Sequence, residues 1–386
     1  MNAADLPAHA DGRQTAQGHE KVVHYNEAGQ VIQRDKASGV GAYYAYDEMG
    51  RVSSELRHPS GDTIYYAYDV RGARTSTKKK GVPDEGWEYD AAGRVLHYSV
   101  LEPGRGLSVG FPMMLNSPGF SGGAETRYDL YYAYDEAGNR TQMAFLGGGV
   151  TYFTNYSYDA RNLLESLTDP LGQTVYYQRD ELGREIVKAL PNGVTTYHDY
   201  DVASQVTSII HQGPSAVLQS LYYTYDDDGQ RTKIEREDGT RIYYGYALAH
   251  RLTGEDRLDP SDVHLYAFAY DYDAAGNRLQ KTFNGEITYY AYNNLNQLKT
   301  EAVLGGDTTD YTWTADGEMA TKHEAAGWTY YTWDVDESLK TIAAPNVTLE
   351  NKYNSRMQRV WRSEDGNAEL LVYDDQKLVA EVPEGE

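Results

Sequence analysis

The sequence predicts an all-β repeat protein, in which a long antiparallel meander of hairpins curls into a spiral or an open shell wall. Three observations predict this fold class: a short motif recurs sixteen times, turn residues interrupt the chain about every ten residues, and tyrosine is abundant. The 37 tyrosines suit half-buried strands, because the ring buries apolar area while its hydroxyl still requires a partner. Runs of Tyr, Thr, Val and Ile between Gly, Asp and Asn favour strands over helices.

The recurring motif is an aromatic residue, then Asp, two variable residues, Gly, and Arg or Asn. Its first residues, the anchors, lie 20 to 26 residues apart, except for one interval of 45 residues that corresponds to two periods with one degraded copy. A constant period indicates one structural unit stacked on itself. The anchors are Tyr25, Tyr46, Tyr68, Tyr89, Tyr134, Tyr158, Arg179, Tyr200, Tyr225, Tyr246, Tyr272, Tyr292, Trp313, Trp333, Tyr353 and Tyr373. Arg179 stands in for Tyr ahead of Asp180, and the two Trp anchors keep the aromatic ring.

One repeat contains two strands and two turns. In residues 174–201, Asp180–Gly183 predicts the first turn, because Asp bonds its own backbone and Gly accepts a positive φ. Arg184–Leu190 predicts a strand, Pro191–Gly193 a second turn and Val194–Tyr200 the return strand. Two turns leave roughly six residues per strand, so one period equals one hairpin.

The chain divides into an array and two short ends. We expect a disordered leader at 1–20, about seventeen hairpins at 21–382 and a tail at 383–386. Residues 101–124 depart from the period and are rich in Gly and Pro. We favour a degraded repeat with a long loop there; the alternative is an apolar tongue that docks on a partner or covers a sheet edge. About thirty-four strands must curl, because neighbouring strands twist.

Composition excludes several classes of function. A net charge of −23 repels nucleic-acid phosphates, so DNA and RNA are poor partners. No cysteine is present for disulfides or thiolate metal sites. The sequence lacks the apolar run that a transmembrane helix requires, and its first twenty residues lack the pattern of a secretory signal. We expect no cofactor.

The motif resembles the YD repeat of the Rhs family. Tyr46–Arg51 and Tyr134–Arg140 carry the resemblance, which extends over 21–382. The family includes bacterial polymorphic Rhs toxins, wall-associated proteins, the B and C components of Tc toxins and animal teneurins. The resemblance implies a β-sheet strip coiled into a hollow shell that, in the toxin members, encloses an inactive toxin. The family's self-cleaving core, with its Asp-Pro-x-Gly-Leu signature, does not follow the last repeats in this sequence.

Several short motifs have ordinary interpretations that we favour. Asp169–Gly172 matches part of the cleavage signature but lies at a second turn, with Gln173 where Leu is required. Gly119–Gly123 fits the nucleophile elbow of hydrolases without its flanking strand and helix. Asp226–Gly229 and Asp271–Asp273 lack the frame of a calcium loop, so turn carboxylates are expected, with weak cation binding as the alternative.

The histidines and lysines do not indicate a metal-binding or other functional site. The ten histidines do not form pairs at metal-binding spacing, so surface or strand histidines are expected. Lys78–Lys80 is expected to be a solvated strand end.

The first functional hypothesis is a non-enzymatic scaffold, secreted or at the cell surface without a recognisable signal peptide. It would form part of a hollow shell around a toxin or other cargo polypeptide, alone or with another shell chain. A second hypothesis is an adhesion surface on which Trp313, Trp328 and Trp333 stack on sugar rings, although we favour their replacing Tyr in the repeat. A third is self-association through free strand edges.

Overall fold

All regular structure in the described part of the chain is β-strand, as predicted. The structure is a computed structural model that describes residues 9–14, 20–58, 61–101, 126–334 and 337–383. Within these ranges, 33 strands belong to one antiparallel sheet, close to the number expected from the period. None of the described residues forms a helix long and apolar enough to cross a bilayer.

The strands follow the two-per-repeat order of the sequence. The first seventeen are β1 (His9–Gln14), β2 (Glu20–Tyr25), β3 (Val31–Lys36), β4 (Gly39–Tyr46), β5 (Val52–Arg57), β6 (Thr63–Tyr68), β7 (Arg74–Lys79), β8 (Asp84–Tyr89), β9 (Val95–Leu101), β10 (Thr126–Tyr134), β11 (Arg140–Gly147), β12 (Val150–Tyr158), β13 (Leu164–Thr168), β14 (Thr174–Arg179), β15 (Glu185–Ala189), β16 (Thr195–Tyr200) and β17 (Val206–Gln212). The others are β18 (Val217–Tyr225), β19 (Arg231–Arg236), β20 (Arg241–Tyr246), β21 (Leu252–Leu258), β22 (His264–Tyr272), β23 (Arg278–Phe283), β24 (Glu286–Tyr292), β25 (Leu298–Val303), β26 (Thr308–Trp313), β27 (Met319–Glu324), β28 (Gly327–Trp333), β29 (Leu339–Ala344), β30 (Val347–Tyr353), β31 (Arg359–Glu364), β32 (Asn367–Asp374) and β33 (Lys377–Pro383).

A bulge accompanies the motif turn, which we call the anchor turn. Between β4 and β5, Ala45 pairs with Ser54 but Tyr46 pairs with Val52, so Ser53 is extra. The same shift recurs at the ends of β6, β16, β22 and β28. Second turns are less uniform, because the register is unbroken between β5 and β6 but shifts between β17 and β18. Bulges increase local twist, and the motif places one in repeat after repeat.

The chain forms two compact units, and the first contains most of the buried apolar side chains. It comprises the described parts of Met1–Tyr132, Ala144–Tyr152 and Asp310–Glu386. Side chains from early and late repeats form its core, and those at most 5% exposed are Ile64, Val82, Tyr98, Tyr128, Leu130, Tyr132, Ala144, Leu370, Leu371 and Val372. The consecutive run Leu370–Val372 shows that β32 is buried on both faces.

The second unit, Ala133–Met143 with Phe153–Thr309, buries little apolar surface. Among the described residues, its buried apolar side chains are Met143, Ile242 and Tyr290. Its other buried side chains carry hydroxyls, namely Thr196, Ser208, Ser220, Thr240 and Thr288. Pairing between neighbouring strands therefore holds this unit together more than an apolar core does.

The structure differs from the sequence-based expectations at two places. Strand β1 lies within the expected leader and pairs with β2, because a free sheet edge binds any extended segment through backbone groups that composition does not reveal. The interpretation of Lys78–Lys80 as a solvated strand end is wrong for Lys79. This side chain is only 7% exposed, and its Nζ donates to the Tyr353 carbonyl at 3.1 Å. The irregular insertion and the Gly119–Gly123 motif lie outside the described residues, apart from Leu101 in β9.

Candidate functional site

The motif Asp builds each anchor turn with its own side chain. In the turn after β4, Asp47 Oδ1 accepts the backbone N–H groups of Met49 and Arg51, both at 2.9 Å. Gly50, at φ +78°, closes the turn. The bond from the Arg51 N–H is the main cause that lowers the pKa of Asp47, and the Arg51 guanidinium adds to it. The carboxylate is therefore occupied within its own turn.

The anchor aromatic ties each hairpin to the strand before it. The Tyr46 hydroxyl donates to the carbonyl of Val31, the first residue of β3, at 2.7 Å. Eight other anchors make the same bond to the first residue of the preceding strand, namely Tyr68, Tyr89, Tyr158, Tyr200, Tyr225, Tyr246, Tyr272 and Tyr292. Trp333 takes the same position, and its Nε1–H donates to the Met319 carbonyl at 2.7 Å.

The last motif residue joins successive anchor turns. Arg51 Nη1 donates to the Asp69 carbonyl at 3.0 Å, and Arg251 Nη1 donates to the Asp273 carbonyl at 2.9 Å. The guanidiniums also lie over anchor rings, as Arg51 does over Tyr68 at 4.7 Å. The motif residues thus form a row at the anchor-turn end of the hairpins, which we call the spine, and their polar groups bind one another and backbone groups of the same or the neighbouring repeat.

The two faces of the sheet carry different aromatics. The anchor and the residue two before it share the anchor face, where burial raises the pKa of Tyr66 to about 12. The residue three before the anchor lies on the opposite, open face. Seven tyrosines at this position are 40% to 57% exposed, whereas Tyr43 and Tyr131 of the first unit are half-buried. The seven are Tyr65, Tyr176, Tyr197, Tyr222, Tyr243, Tyr289 and Tyr330.

Early and late repeats meet in the first unit around one buried carboxylate. Glu85 Oε1 accepts the Tyr98 hydroxyl at 2.7 Å, Arg356 Nη2 at 3.0 Å and Asn354 Nδ2 at 3.1 Å. The Glu85 side chain is 4% exposed, and Arg356 also lies over the Trp87 ring at 5.5 Å. We call Glu85, Tyr98, Asn354 and Arg356 the clasp. Burial, followed by the charge of Glu85, raises the pKa of Tyr98 well above its usual value.

A second buried charge lies near this junction. Lys79 Nζ lies 3.6 Å from Asp334 Oδ2 in addition to its bond with the Tyr353 carbonyl. Burial lowers the pKa of Lys79, and the nearby Arg57 guanidinium lowers it further. Tyr132 adds a third contact by donating to Asp374 Oδ1 at 3.0 Å. These contacts connect residues that lie more than 240 positions apart in the sequence.

The structure does not bring the three candidate tryptophans together on one face. Trp313 and Trp333 end β26 and β28 as half-buried anchors. Trp328 lies on the open face, 45% exposed, and stacks on His323 at 4.2 Å between ring centroids. The bond from Trp333 to the Met319 carbonyl shows that this indole replaces a tyrosine in the spine.

The remaining sequence motifs have structural roles. Asp169 Oδ1 accepts the N–H groups of Leu171 and Gln173, so this Asp-Pro segment is an ordinary turn. Asp226 makes the same turn through the N–H groups of Asp228 and Gln230. Among the described residues, no group of His, Asp and Glu is arranged to hold a metal ion.

Sequence reasoning missed the clasp and the target of each tyrosine hydroxyl. The clasp residues lie in repeats far apart in the sequence, and the period does not reveal which distant repeats meet. The sequence does contain a signal for the hydroxyl bonds. The aromatic anchors are Tyr or Trp, whose side chains can both donate a hydrogen bond, and none of them is Phe.

Comparison with known proteins finds a relative whose sequence matches part of the chain and solved structures that have a similar fold. No family model matches the chain. Toxin subunit YenC1 of Yersinia entomophaga is 25% identical over 219 residues, which are 50% of this chain and 22% of YenC1. The crystal structures of TcdB2-TccC3-Cdc42 and of TcdB2-TccC3 without its hypervariable C-terminal region each give a TM-score of 0.60 at 15% identity. Both matches cover 97% of this chain and 24% of the other, so the chain spans about a quarter of the length of these proteins.

Proposed function

We propose that the chain is a member of the Rhs/YD-repeat family and that it is a non-enzymatic scaffold, which forms part of a hollow β shell around a toxin or other cargo polypeptide. The clasp carries this proposal, together with the core behind it. Glu85 and Tyr98 from early repeats bind Asn354 and Arg356 from a late repeat, so the strip contacts itself within the first unit. A strip that contacts itself separates an inside from an outside, which an enclosing wall requires.

The spine supports a scaffold rather than a catalyst. The motif carboxylates accept backbone N–H groups of their own turns, and the motif hydroxyls donate to neighbouring carbonyls. Groups engaged in this way stabilise the sheet and are not free to act on a substrate. The relatives that the chain matches are a toxin subunit and toxin complexes, so we infer that this chain also serves a secreted toxin assembly.

Protease protection tests enclosure. We would attach a permanently unfolded, epitope-tagged segment after Glu386, because β32, the strand before the last, is buried on both faces beside the core of the first unit. The matched control carries the same segment ahead of Met1. We expect the C-terminal tag to survive limited proteolysis much longer than the N-terminal tag. Equal rates of loss from the two positions would contradict the proposal.

A carbohydrate-binding surface is the second candidate. Trp328 and Tyr330 are 45% and 52% exposed on the open face, with Asp310 and His323 beside them. A printed glycan array with the chain and its Trp328→Ala variant tests it. Saturable binding that this variant loses would support adhesion, and an array without any saturable signal would dismiss it.

A further inference from the structure

In the first unit, second turns of early repeats lie against anchor turns of late repeats. Ser38, in the second turn between β3 and β4, donates its backbone N–H to Asp316 Oδ1 at 3.1 Å. Asp316 belongs to the anchor turn that follows β26. Lys36, two residues before Ser38, has its Nζ 3.6 Å from Glu337 Oε1, in the following anchor turn.

The same arrangement continues along both rows of turns. Lys79 and Glu85 flank the second turn between β7 and β8. Their partners are Asp334 for Lys79, and Asn354 and Arg356 for Glu85, again in anchor turns. Later second turns contact later anchor turns, so a row of second turns runs along a row of anchor turns. We call this arrangement the rim contact.

The second unit has an anchor-turn row that carries exposed aliphatic side chains. Leu182, Val202 and Leu248 are 73%, 107% and 106% exposed at the tips of their turns. Arg184 joins two of these turns through bonds to the Asp201 carbonyl and the Ser204 hydroxyl, so their tips are held in place. Aliphatic groups held rigidly in water gain free energy when another surface covers them.

The same unit also carries the complementary row. Its second turns expose Leu171, Val263 and Leu304, which are 81%, 57% and 64% exposed. We propose that the anchor-turn row at Leu182, Val202 and Leu248 binds the second-turn row of another YD-repeat strip, and that a second copy of this chain is such a strip. The proposal extends the shell proposed above, and the rim contact of the first unit is its precedent.

This contact joins two different surfaces, so it is heterologous. Both copies carry a net charge of −23, which opposes association at low ionic strength. Salt screens this repulsion and leaves apolar contacts intact, so association should strengthen as salt rises. A contact held mainly by ion pairs would weaken instead.

Sedimentation velocity over a wide concentration range tests the proposal with the whole chain. The variant Val202→Asp/Leu248→Asp changes the anchor-turn row, and Leu171→Asp/Leu304→Asp changes the second-turn row. We expect each variant to weaken association by about tenfold or more in Kd. Folding should survive in the anchor-turn variant, because Asp227 already occupies the position equivalent to both Val202 and Leu248 in the turn between theirs. Tyr176→Asp on the open face is the control and should associate like the unchanged chain.

Mixing provides the decisive result. An equimolar mixture of the two double variants retains one intact pair of surfaces, so it should form dimers that grow no further. Three outcomes would overturn the proposal: a monomeric unchanged chain at all concentrations, association that ignores the rim substitutions, as strand-edge pairing would, or no dimer in the mixture. Protease protection within one copy is a separate measurement, so failure here leaves the proposed shell to its own test.

Discussion

Removing the Glu85 carboxylate should open the contact between early and late repeats. In Glu85→Ala, Tyr98, Asn354 and Arg356 lose a common acceptor, and the residues of Tyr98 and Asn354 are only 5% and 2% exposed. Loss of one partner from a buried ion pair costs about 3–5 kcal/mol. We expect about 3 kcal/mol, the lower end, because the Arg356 side chain is 27% exposed and water replaces part of its bonding.

Hydrogen exchange measured by mass spectrometry resolves this effect by strand. A cost of about 3 kcal/mol corresponds to about a hundredfold faster opening. We expect faster exchange in β8, β9 and β30 to β32, and unchanged exchange in β16 to β21 of the second unit. The control is Glu235→Ala, which removes a partly exposed partner of Lys233 and should cost less than about 1 kcal/mol. Unchanged exchange in β8 and β31 of Glu85→Ala would refute the role given to the clasp.

Four further predictions follow from the structure of the repeat. Trp333→Phe should lower the free energy of unfolding, measured by urea titration, by about 1 kcal/mol, because Phe has no donor for the Met319 carbonyl. Trp333→Tyr keeps a donor and should retain this free energy; equal losses in the two variants would contradict the prediction. Met357→Gly should raise the free energy of unfolding by about 1 kcal/mol, because Met357 has a φ of +59°, which is strained for a residue with a Cβ. The control Asn296→Gly should change this free energy less, because Asn tolerates such a φ better. A lower free energy of unfolding in Met357→Gly would show that Met357 is not strained. Hydrogen bonds from backbone N–H groups lower the pKa of Asp47, Asp90 and Asp159. Stability measured by thermal unfolding should therefore be constant above about pH 5 and fall as the pH drops below the ordinary value of 3.8. A melting temperature that does not change with pH would contradict this prediction. Burial raises the pKa of Tyr66 to about 12, so stability should fall as the pH rises above 10, the ordinary value for tyrosine. Tyrosinate absorbance should then appear together with unfolding of the strands. Ionisation of all tyrosines before the strands unfold would contradict this prediction.

The sequence predicted the local structure well because each repeat is defined by nearby residues. Asp180–Gly183 and Pro191–Gly193 form the two expected turns, and the strands between them have the expected lengths. Motif degeneracy did not disturb the fold. His250 and Glu337 occupy the glycine position of the motif with a positive φ, and their turns close with the same backbone bonds. The turn is therefore determined by the bulge and neighbouring strands as well as by glycine.

Contacts between distant repeats were beyond sequence reasoning. Lys79 was expected in water because it lies in a run of three lysines beside a turn, but its neighbours Asp334 and Tyr353 come from repeats about 250 residues later. A period gives the neighbours of each hairpin along the strip and says nothing about where the strip meets itself. Only the amount of curl per repeat decides that meeting, and bulges and twist add small increments that no single motif reveals.

Within each repeat, some residues maintain the fold and others are free to differ, and this difference indicates which residues can determine a specific function. Tyr, Asp and Arg at the motif positions bind backbone groups and one another within the repeat array, so changing them should alter stability in a similar way from repeat to repeat. Residues at the turn tips and on the open face differ between repeats; for example, Val202 occupies a turn tip where the next repeat has Asp227. Such positions contribute little to the hairpin and are free to vary. A shell that recognises a particular partner must therefore do so through its turn tips and open face, while the spine keeps those residues at a fixed spacing.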